Sequence, residues 1–368
     1  MNYTVFGKTG KQVSSLGMGG MRFENHITDD DCVQYILKAH ELGVNYFDTA
    51  PIYNEDRSES LYGRAFAQMP RENFHIATKG ANDLSAEAVD QWITRSIKRL
   101  NIEYIDFYFL WCIITPEQYA NAKMKGNALE GILKAKERGL INHIGVSVHS
   151  YNELIMQIVD DGIFDFIMIP YNALNFNQRE EGLRYAKQKN LGTVVMNPIY
   201  GGVIAQYKNT LKIYPDSVVS PVEDALHYCM DSPFVDVTLA GMNSFEMINE
   251  NIGYANQSKK LSVEEQNVRQ KKIHSAFTGL CTGCGYCLRH CPQAINIKSY
   301  MEIYNNILLT HDMKQLKARY EWYHRFGVLL HDKKRPSDCT ACQSCERECT
   351  QYLPIIERLE WLDEQFGK

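Results

Sequence analysis

The sequence predicts an α/β protein in which an eight-stranded parallel (β/α)8 barrel is followed by a small cysteine-rich domain. Short apolar segments alternate with longer amphipathic segments over about the first 255 of the 368 residues. Eight of the short segments have the length and composition of strands, and a barrel of eight strands and helices occupies about 250 residues. The second domain is predicted because eight of the eleven cysteines fall in two short runs near the C-terminus.

The predicted strands are short, and several are apolar at every position. Phe107–Leu110 is one such run, and a continuous apolar run indicates a strand that is covered on both faces. The eight predicted strands are Val13–Leu16, Asn45–Asp48, Phe74–Lys79, Ile105–Leu110, Ile144–Val148, Phe166–Ile169, Thr193–Asn197 and Val237–Leu239. Ahead of them, Tyr3–Phe6 and the turn Gly7–Gly10 predict a hairpin that closes the bottom of the barrel.

The helices between these strands have recognisable ends. Ser85 precedes the helix predicted for Ala86–Leu100, and Gly43 follows the helix predicted for Asp29–Leu42, which are the usual start and stop signals. The other predicted helices are Leu129–Arg138, Asn152–Asp161, Arg179–Asn190, Pro221–Met230 and Phe245–Asn256. A doubly wound open sheet is the alternative, but the spacing within Gly17–Gly20 does not match the glycine fingerprint expected after its first strand.

Composition and charge exclude several classes of protein. With 45% hydrophobic and 23% charged residues, the chain resembles an ordinary globular protein and not a disordered one. The formal net charge of -5 offers no strong field for nucleic acid or an anionic membrane. Neither a secretory signal nor an apolar run long enough for a membrane span is visible. We therefore expect a cytoplasmic protein with no nucleic-acid or membrane partner.

The composition changes after about residue 256. Residues 257–275 are polar and charged and predict a linker helix, so the barrel is expected to span residues 1–256 and the cysteine domain residues 276–368. Within the cysteine domain, 47 residues separate Cys291 from Cys339. This separation predicts a helical insertion between the two cysteine runs.

Each cysteine run has the Cys-x2-Cys-x2-Cys-x3-Cys spacing of a bacterial [4Fe-4S] motif. The first three cysteines of a run can supply three thiolates to a cubane, and with two runs the fourth is expected to ligate the other cluster. The predicted ligands are Cys281, Cys284, Cys287 and Cys349 for one cluster and Cys339, Cys342, Cys345 and Cys291 for the other. Structural zinc and disulfides are less favoured, because zinc prefers separated CxxC pairs and the chain shows no secretion signal.

Three polar residues are expected at the carboxyl ends of the second and third strands. Asp48 and Lys79 end these strands, and Tyr53 follows in the next loop, at the face where barrel active sites form. A buried Lys–Asp pair beside a tyrosine would lower the pKa of the phenol, which can then protonate an oxygen while a hydride reaches carbon. Taken singly, a structural tyrosine or a surface ion pair is the commoner interpretation.

The sequence resembles the aldo-keto reductases over residues 1–256, through the motifs FDTAPIY, ATKG, NIEYIDFYFL, HIGVS and PYN. With its cysteine runs, the whole chain resembles the subfamily fused to a small α+β ferredoxin-like domain that holds two [4Fe-4S] clusters. The resemblance implies a TIM barrel and NAD(P)H-dependent reduction of a carbonyl. It also implies that Asp48, Tyr53 and Lys79 are three members of the catalytic tetrad of the family, with Tyr53 as general acid.

The chain departs from this family at several positions. Trp111 stands at the tetrad histidine, and its indole offers one hydrogen-bond donor and no titratable group. It either directs that donor at the substrate or walls the pocket. Met168 aligns with the glutamine that holds the nicotinamide amide, and Met196 with the aromatic residue that stacks on the nicotinamide. Met242 and Met247 align with basic residues that often grip the 2'-phosphate of NADP.

The resemblance still implies a set of nucleotide contacts, with the choice between NAD and NADP left open. These contacts are Ser147, Asn172, Gly201, Gly202, Gly241, Glu250 and Asn251. The pair Gly201–Gly202 is equally well explained as a simple turn. His149, after the fifth strand, faces the pocket or is an ordinary loop histidine, and the second interpretation is favoured.

Two functions follow from these observations. The first is an oxidoreductase that transfers a hydride between NAD(P)H and a small carbonyl or alcohol substrate, with two clusters that exchange electrons with a redox partner protein. The alternative is an iron-sulfur electron-transfer or redox-responsive protein whose barrel binds a ligand without nicotinamide turnover. The changes at residues 111, 168 and 196 motivate this alternative. A hydride carries two electrons and a cluster accepts one. The sequence therefore does not show how electrons pass between the barrel and the clusters.

Overall fold

The computed structural model describes residues 1–367 apart from residues 25, 210, 277–278, 282 and 350. Its strands are β1 (Tyr3–Val5), β2 (Gln12–Ser14), β3 (Leu16–Gly19), β4 (Tyr46–Asp48), β5 (His75–Ala81), β6 (Ile105–Ile113), β7 (Ile141–Val148), β8 (Phe166–Pro170), β9 (Gly192–Met196) and β10 (Val237–Ala240). Strands β3 to β10 pair in parallel with their chain neighbours, and β10 closes the barrel on β3. The predicted (β/α)8 barrel is therefore confirmed.

Helices cover the barrel and make up most of the C-terminal domain. Around the barrel they are α1 (Asp29–Glu41), α2 (Ser58–Phe66), α3 (Ala86–Leu100), α4 (Pro116–Ala122), α5 (Ala128–Glu137), α6 (Asn152–Asp160), α7 (Glu180–Gln188), α8 (Val203–Gln206), α9 (Pro221–Met230), α10 (Phe245–Gln257) and α11 (Val263–Ala276). Then follow α12 (Tyr286–Arg289), α13 (Ile297–Thr310), α14 (Met313–Arg325), α15 (Ser344–Arg347) and α16 (Ile355–Phe366). Among the described residues, no helix combines the length and apolarity needed to cross a membrane.

The helix start signals act as expected. The Ser85 and Ser220 side chains accept hydrogen bonds from backbone N–H groups in the first turns of α3 and α9, which satisfies donors that a helix leaves unpaired. Both helices begin and end at the predicted residues. Helices α2, α4 and α8 have no counterpart among the predicted helices.

The first barrel strand begins at Leu16, so the prediction of one strand over Val13–Leu16 is wrong. Val13 pairs with Thr4 in the antiparallel hairpin of β1 and β2, whereas Leu16 pairs with β10 in the barrel. The apolar run therefore contains the end of an antiparallel strand and the start of a parallel one. The hairpin closes the bottom of the barrel as expected, because Phe6 in its turn is fully buried among the interior phenylalanines of β6 and β8.

Alternate residues of each barrel strand point inward, and those at the carboxyl ends line the opening that we call the mouth. On β6, Phe107 and Phe109 belong to the interior cluster, which makes Trp111 the next inward position. Phe109 pairs with position 145 of β7. The same alternation therefore turns Ser147 and His149 toward the mouth.

The polar segment that follows the barrel forms α11 and packs against it. Gln266 is fully buried, and its amide donates a hydrogen bond to the Tyr171 hydroxyl over 3.3 Å. Ile273 belongs to the same apolar core as the outer faces of the barrel strands. The segment is helical as expected, and it also contributes to the outer layer of the barrel.

The described residues of the C-terminal domain are helical around the cysteine runs. Helices α13 and α14 form the insertion that was expected between Cys291 and Cys339. They share an apolar core with α16 that includes Tyr300, Leu316 and Leu359. In the part of this domain that the structure describes, no strand is assigned, so the β portion of the expected α+β character is not seen there.

The C-terminal domain lies against loops at the carboxyl ends of β7, β8 and β9. Tyr151, after β7, forms a hydrogen bond with Ser299 of α13 over 2.9 Å. Gln315 of α14 donates a hydrogen bond to Gln206 of α8, which follows β9, over 2.7 Å. Because barrel active sites form at this face, the domain is placed beside the mouth.

Candidate active site and cysteine sites

Asp48 and Lys79 meet inside the mouth, at the ends of neighbouring strands β4 and β5. The Lys79 ammonium donates hydrogen bonds to Asp48 Oδ1 over 2.6 Å and to the Thr49 carbonyl over 2.7 Å. Asp48 is 3% exposed and Lys79 is 1% exposed. Burial raises the pKa of Asp48 and lowers the pKa of Lys79, and each partner's charge opposes the shift of the other. The two side chains therefore form a desolvated ion pair.

Tyr53 lies beside this pair. The Lys79 ammonium is 5.0 Å from the centre of the Tyr53 ring, and Trp111 packs edge-on against that ring with centroids 6.0 Å apart. Ser58, at the start of α2, anchors the loop that carries Tyr53 by donating a hydrogen bond to the Gly20 carbonyl over 3.0 Å. The structure thus brings the three predicted tetrad members and Trp111 into one cluster.

The pKa of Tyr53 is not lowered, contrary to the expectation from sequence. Burial raises the pKa of Tyr53 well above its ordinary value, and Asp48 and Cys112 add to the increase. Because Asp48 is paired with Lys79, its negative charge offsets the effect of the ammonium on the phenol. Tyr53 is therefore held as the neutral phenol, which is the form that can donate a proton.

Strand β6 is irregular where it reaches the mouth. The register between β6 and β7 shifts at this point, and Cys112 adopts a left-handed conformation with φ 64°. The Cys112 N–H donates a hydrogen bond to Ser147 Oγ over 3.0 Å. Burial raises the pKa of the Cys112 thiol to about 11, so the side chain is a neutral thiol near pH 7. Such bulges re-aim neighbouring side chains, and this one lies directly after Trp111.

The residues expected to meet the nicotinamide make a largely apolar wall. Met168 is 2% exposed at an inward position of β8, and Met196 is half-buried at the end of β9. Asn172 is already tied to backbone, because its amide donates to the Asn197 carbonyl over 2.9 Å and its oxygen accepts from the Leu174 N–H over 2.9 Å. Asn172 therefore supports the loop after β8.

Gly201 and Gly202 form an open turn after β9. Both adopt left-handed conformations, with φ 70° and 99°, and a Cβ at either residue would meet no atom within 4 Å. Open backbone of this kind lets anion oxygens approach N–H groups closely. The Gly202 N–H, however, donates to the Ile199 carbonyl over 3.1 Å. The geometry is therefore compatible with both interpretations from the sequence, a nucleotide contact and a simple turn.

Of the other expected nucleotide contacts, Gly241 lies before α10, and Glu250 and Asn251 lie in the middle of that helix. A Cβ at Gly241 would lie 2.8 Å from the Arg22 side chain, so an exposed guanidinium that the sequence analysis did not single out flanks this edge. Glu250 is exposed and Asn251 is buried on α10. Met242, one of the positions where a basic residue was expected, is buried.

The eight clustered cysteines line two cavities. The first cavity, which we call the first site, is lined by Cys281, Cys284, Cys287 and Cys349, and the second site by Cys291, Cys339, Cys342 and Cys345. Each set combines three cysteines of one run with the last cysteine of the other. Four thiols around a cavity fit a cubane that needs one thiolate at each iron. Within the described ranges, no three His, Cys, Asp or Glu side chains are grouped as a single-metal site.

A buried charged pair joins the two domains, and the sequence analysis did not find it. Arg179, after β8, lies 3.4 Å from Glu302 of α13, and the Tyr151 hydroxyl donates to the other Glu302 oxygen over 3.1 Å. Burial would raise the pKa of Glu302, but Arg179 and Arg319 hold it below its ordinary value. Glu302 lies in the insertion between the cysteine runs, where no motif marks it.

His149 faces the mouth, the interpretation that the sequence did not favour. Its Nε2 is buried and has no hydrogen-bond partner among the residues that the structure describes. Burial, together with the positive charges of Arg179 and Lys79, lowers the pKa of His149 to about 4. A neutral imidazole therefore lies between the Lys79–Asp48 pair and the domain interface.

Comparison with known proteins agrees with both domains. The family model described as the Aldo/keto reductase family matches residues 15–271, and the model of a 4Fe-4S dicluster domain matches residues 280–353. The L-galactose dehydrogenase of Arabidopsis thaliana is 24% identical over 298 residues, covering 72% of this chain and 92% of that protein. The NADH-specific methylglyoxal reductase of Escherichia coli (strain K12) is 26% identical over 230 residues, covering 55% of this chain and 69% of that protein.

Solved structures share the barrel. The holo form of an aldo-keto reductase from Bacillus halodurans has a TM-score of 0.63 at 22% identity, over 74% of this chain and 96% of that one. A Bombyx mori aldo-keto reductase in complex with NADP has a TM-score of 0.58 at 20% identity, over 74% of this chain and 94% of that one. At these identities the likeness supports the fold alone. On the family match, this chain belongs to the aldo/keto reductase family, and its barrel continues into a 4Fe-4S dicluster domain.

Proposed function

We propose that this protein transfers a hydride between NAD(P)H and a small carbonyl or alcohol substrate, with Tyr53 as general acid. One observation carries the proposal. Lys79 and Asp48 form a buried pair 2.6 Å apart, and the ammonium of that pair is 5.0 Å from the Tyr53 ring. Membership of the aldo/keto reductase family supports an oxidoreductase.

Each residue of the cluster has a role in the proposed reaction. When bound, NAD(P)H supplies the hydride. The Tyr53 hydroxyl gives its proton to the substrate oxygen as negative charge develops there. Lys79 stabilises the phenolate that remains, and Asp48 holds Lys79 in position. Trp111 walls the pocket against Tyr53, and its indole N–H is a donor available to the substrate oxygen.

The raised pKa of Tyr53 suits its proposed role as general acid. A phenol with a high pKa keeps its proton at neutral pH, so it serves as the acid in carbonyl reduction. Alcohol oxidation would need the phenolate as a base, and this form is scarce when burial disfavours it. The neutral phenol is therefore the form of Tyr53 proposed to act in carbonyl reduction.

The nucleotide is proposed to lie across the mouth from Ser147 to the open turn of Gly201 and Gly202. Ser147 would be the polar group at the carboxamide end, and the left-handed Gly201 and Gly202 leave the turn sterically open to the diphosphate. Arg22 is the basic side chain beside Gly241. Comparing NADH with NADPH in the native protein and in Arg22→Gln tests whether this side chain selects for the 2'-phosphate.

Two [4Fe-4S] clusters are proposed, one at each cysteine site, with a redox partner protein as the source or acceptor of single electrons. The crossed sets of four cysteines around the two cavities support this assignment. Two cubanes correspond to about eight irons per chain. Iron and sulfide analysis of anaerobically purified protein checks this number, and about four irons would contradict it.

Replacing Tyr53 with phenylalanine tests the reaction. Activity is assayed anaerobically with NADH and NADPH against small aldehydes and ketones. Loss of the general acid is expected to reduce the rate about 10²–10⁴-fold, while nucleotide binding persists. The matched control is Tyr185→Phe, because the Tyr185 hydroxyl is an exposed partner of Asp160. Full carbonyl reduction by the Tyr53→Phe protein would refute the proposed role of Tyr53.

The alternative is an iron-sulfur electron-transfer or redox-responsive protein whose barrel binds a ligand without nicotinamide turnover. The observation that favours it is the apolar wall at Met168 and Met196, which offers no side chain to orient a carboxamide. This alternative expects reducible clusters and no nucleotide-dependent carbonyl reduction. The same assays therefore separate the two functions.

A further inference from the structure

The two cysteine sites differ in the charges that surround them. Lys298 of α13 lines the first site together with its four cysteines. Its side chain is 3% exposed, and its ammonium lies 3.8 Å from the centre of the Tyr151 ring. The acidic residue facing it is Glu153, which is 3.9 Å away and 76% exposed, so solvent screens much of that charge. A buried cation therefore stands at the wall of the first site.

A second cation lies on the same side of the domain. Arg358 of α16 is buried, and its guanidinium packs 4.7 Å from the Tyr304 ring. Its Nη1 is buried without a hydrogen-bond partner among the described residues. Cys281 and Cys349 lie close enough to interact electrostatically with Arg358. The acids in this region are the exposed Glu357, which interacts electrostatically with Arg358, and Glu302, whose charge is met by Arg179 at 3.4 Å.

No charged side chain lines the second site among the described residues. The nearest acid is Glu346, which follows Cys345 in the sequence. Its carboxylate accepts a hydrogen bond from the Ile356 N–H over 2.9 Å, and Ile356 lines the second site. The lining of the second site is thus uncharged among the described residues, in contrast to the cationic wall of the first.

The sites also differ in their distance from the barrel. Gly283, within the loop of the first run, is so close to the barrel that a Cβ there would lie 2.2 Å from Gln178 Cγ. Gln178 in turn accepts a hydrogen bond from Arg179 over 3.0 Å. Both sites are lined by residues of the C-terminal domain, and each has one exposed cysteine, Cys284 at the first site and Cys342 at the second. The close approach to the barrel is at the loop of the first site.

We propose that electrons enter at the second site, whose described lining carries no charge, and pass to the first site, where Lys298 and Arg358 make the cluster beside the barrel the stronger electron acceptor. A cluster becomes more negative when it is reduced, so a buried cation next to it favours the reduced form. The inference rests on the proposed cluster ligands, and it concerns the order in which electrons pass between the two clusters.

The step moves one electron and no atoms. The cluster at the second site is oxidised by one electron, the cluster at the first site is reduced by one, and no bond or proton is involved. The second site is then reduced again by a one-electron carrier protein of low potential. Lys298 acts here through its positive charge and takes no part in the transfer itself. Its effect is measured as a change in the reduction potential of the cluster beside it.

The test is a potentiometric titration of the full chain with both clusters loaded, followed by electron paramagnetic resonance. In the native protein, one cluster signal is expected to appear well before the other. Lys298→Gln is expected to lower the reduction potential of the cluster that is reduced first by about 59 mV. For one electron, this shift is a tenfold change in the equilibrium constant for reduction. Lys298→Arg keeps the charge and should restore the native value.

The matched control is Lys333→Gln, which removes an exposed lysine near the second run and should leave the higher potential unchanged. Equal potentials in the native protein, or no change in Lys298→Gln, would overturn the order of transfer while leaving the two clusters in place. An effect of Lys298→Gln confined to the lower-potential cluster would reverse the order. Protein that holds fewer than two clusters would overturn the ligand assignment, and with it this inference.

Discussion

Tyr151 of the barrel donates a hydrogen bond over 3.1 Å to Glu302 of the C-terminal domain, and both side chains are buried. Glu302 also faces Arg179, and Lys298 of the same helix packs on the Tyr151 ring. The iron-sulfur domain is therefore held to the barrel by a desolvated polar cluster beside the mouth. This contact gives the two halves of the chain a fixed relationship that their sequence motifs do not show.

Breaking the interface pair should destabilise the protein strongly. Arg179→Gln removes the ion-pair partner of the buried Glu302 and leaves Arg319 as the cation that still acts on it, so we expect a cost of up to about 3–5 kcal/mol of unfolding free energy. Adding Glu302→Gln should recover part of that loss, because both charges are then gone. Denaturant unfolding under anaerobic conditions measures the unfolding free energies of the native protein and of these variants. The control pair, Arg138 and Asp90, is largely exposed and should contribute no more than about 1 kcal/mol; an equal effect there would contradict the interface model.

The Lys79–Asp48 pair should contribute to the stability of the protein, apart from its proposed catalytic role. Lys79→Met removes the cation from a fully buried carboxylate, so we expect a loss of about 3–5 kcal/mol in unfolding free energy. Lys134→Met, in an exposed helical pair with Glu130, should cost no more than about 0.5 kcal/mol. Similar stabilities for these two variants would show that Lys79 is not desolvated.

The pKa of His149 makes a prediction about stability and pH. Its pKa is about 4 in the folded protein against an ordinary value of 6.5, so the unfolded chain binds the extra proton more readily. The neutral side chain therefore contributes stability that is complete above pH 6.5 and is lost as the pH falls toward 4, by up to about 3 kcal/mol.

His149→Gln should flatten the pH dependence of unfolding between pH 6.5 and 5 relative to the native protein. His26→Gln is the matched control, since His26 is 76% exposed and pairs with Glu24 at the surface. Melting temperatures measured across this pH range check the difference. If the native protein and His149→Gln lose stability in parallel on acidification, His149 is not a buried neutral histidine.

Local patterns in the sequence were sufficient for the barrel and for the proximity of the residues proposed as tetrad members. Strand ends and family motifs placed Asp48 and Lys79 at neighbouring carboxyl ends, and the structure brings their charges together. The strand over Val13–Leu16 was wrong because an apolar run does not show where an antiparallel hairpin ends and parallel pairing begins. The expectation that the pKa of Tyr53 is lowered was also wrong, because this pKa depends mainly on burial.

The interface could not be predicted in the same way. Glu302 and Lys298 lie on α13, in an insertion whose residues follow no motif, and their partners are more than a hundred residues away in the sequence. His149 carried a weak signal, its position directly after a barrel strand. That the charges of Arg179 and Lys79 act on it is shown only by the folded structure.

The most direct test of the central claim is an anaerobic titration of the cluster-loaded protein with NADH and then with NADPH. Nicotinamide fluorescence and the visible absorption of the clusters are followed together, before and after a small carbonyl compound is added. The account predicts saturable binding of one of the nucleotides and its oxidation when the carbonyl is added. Absence of binding by both nucleotides, with clusters that are intact and reducible, would contradict the hydride-transferring reductase.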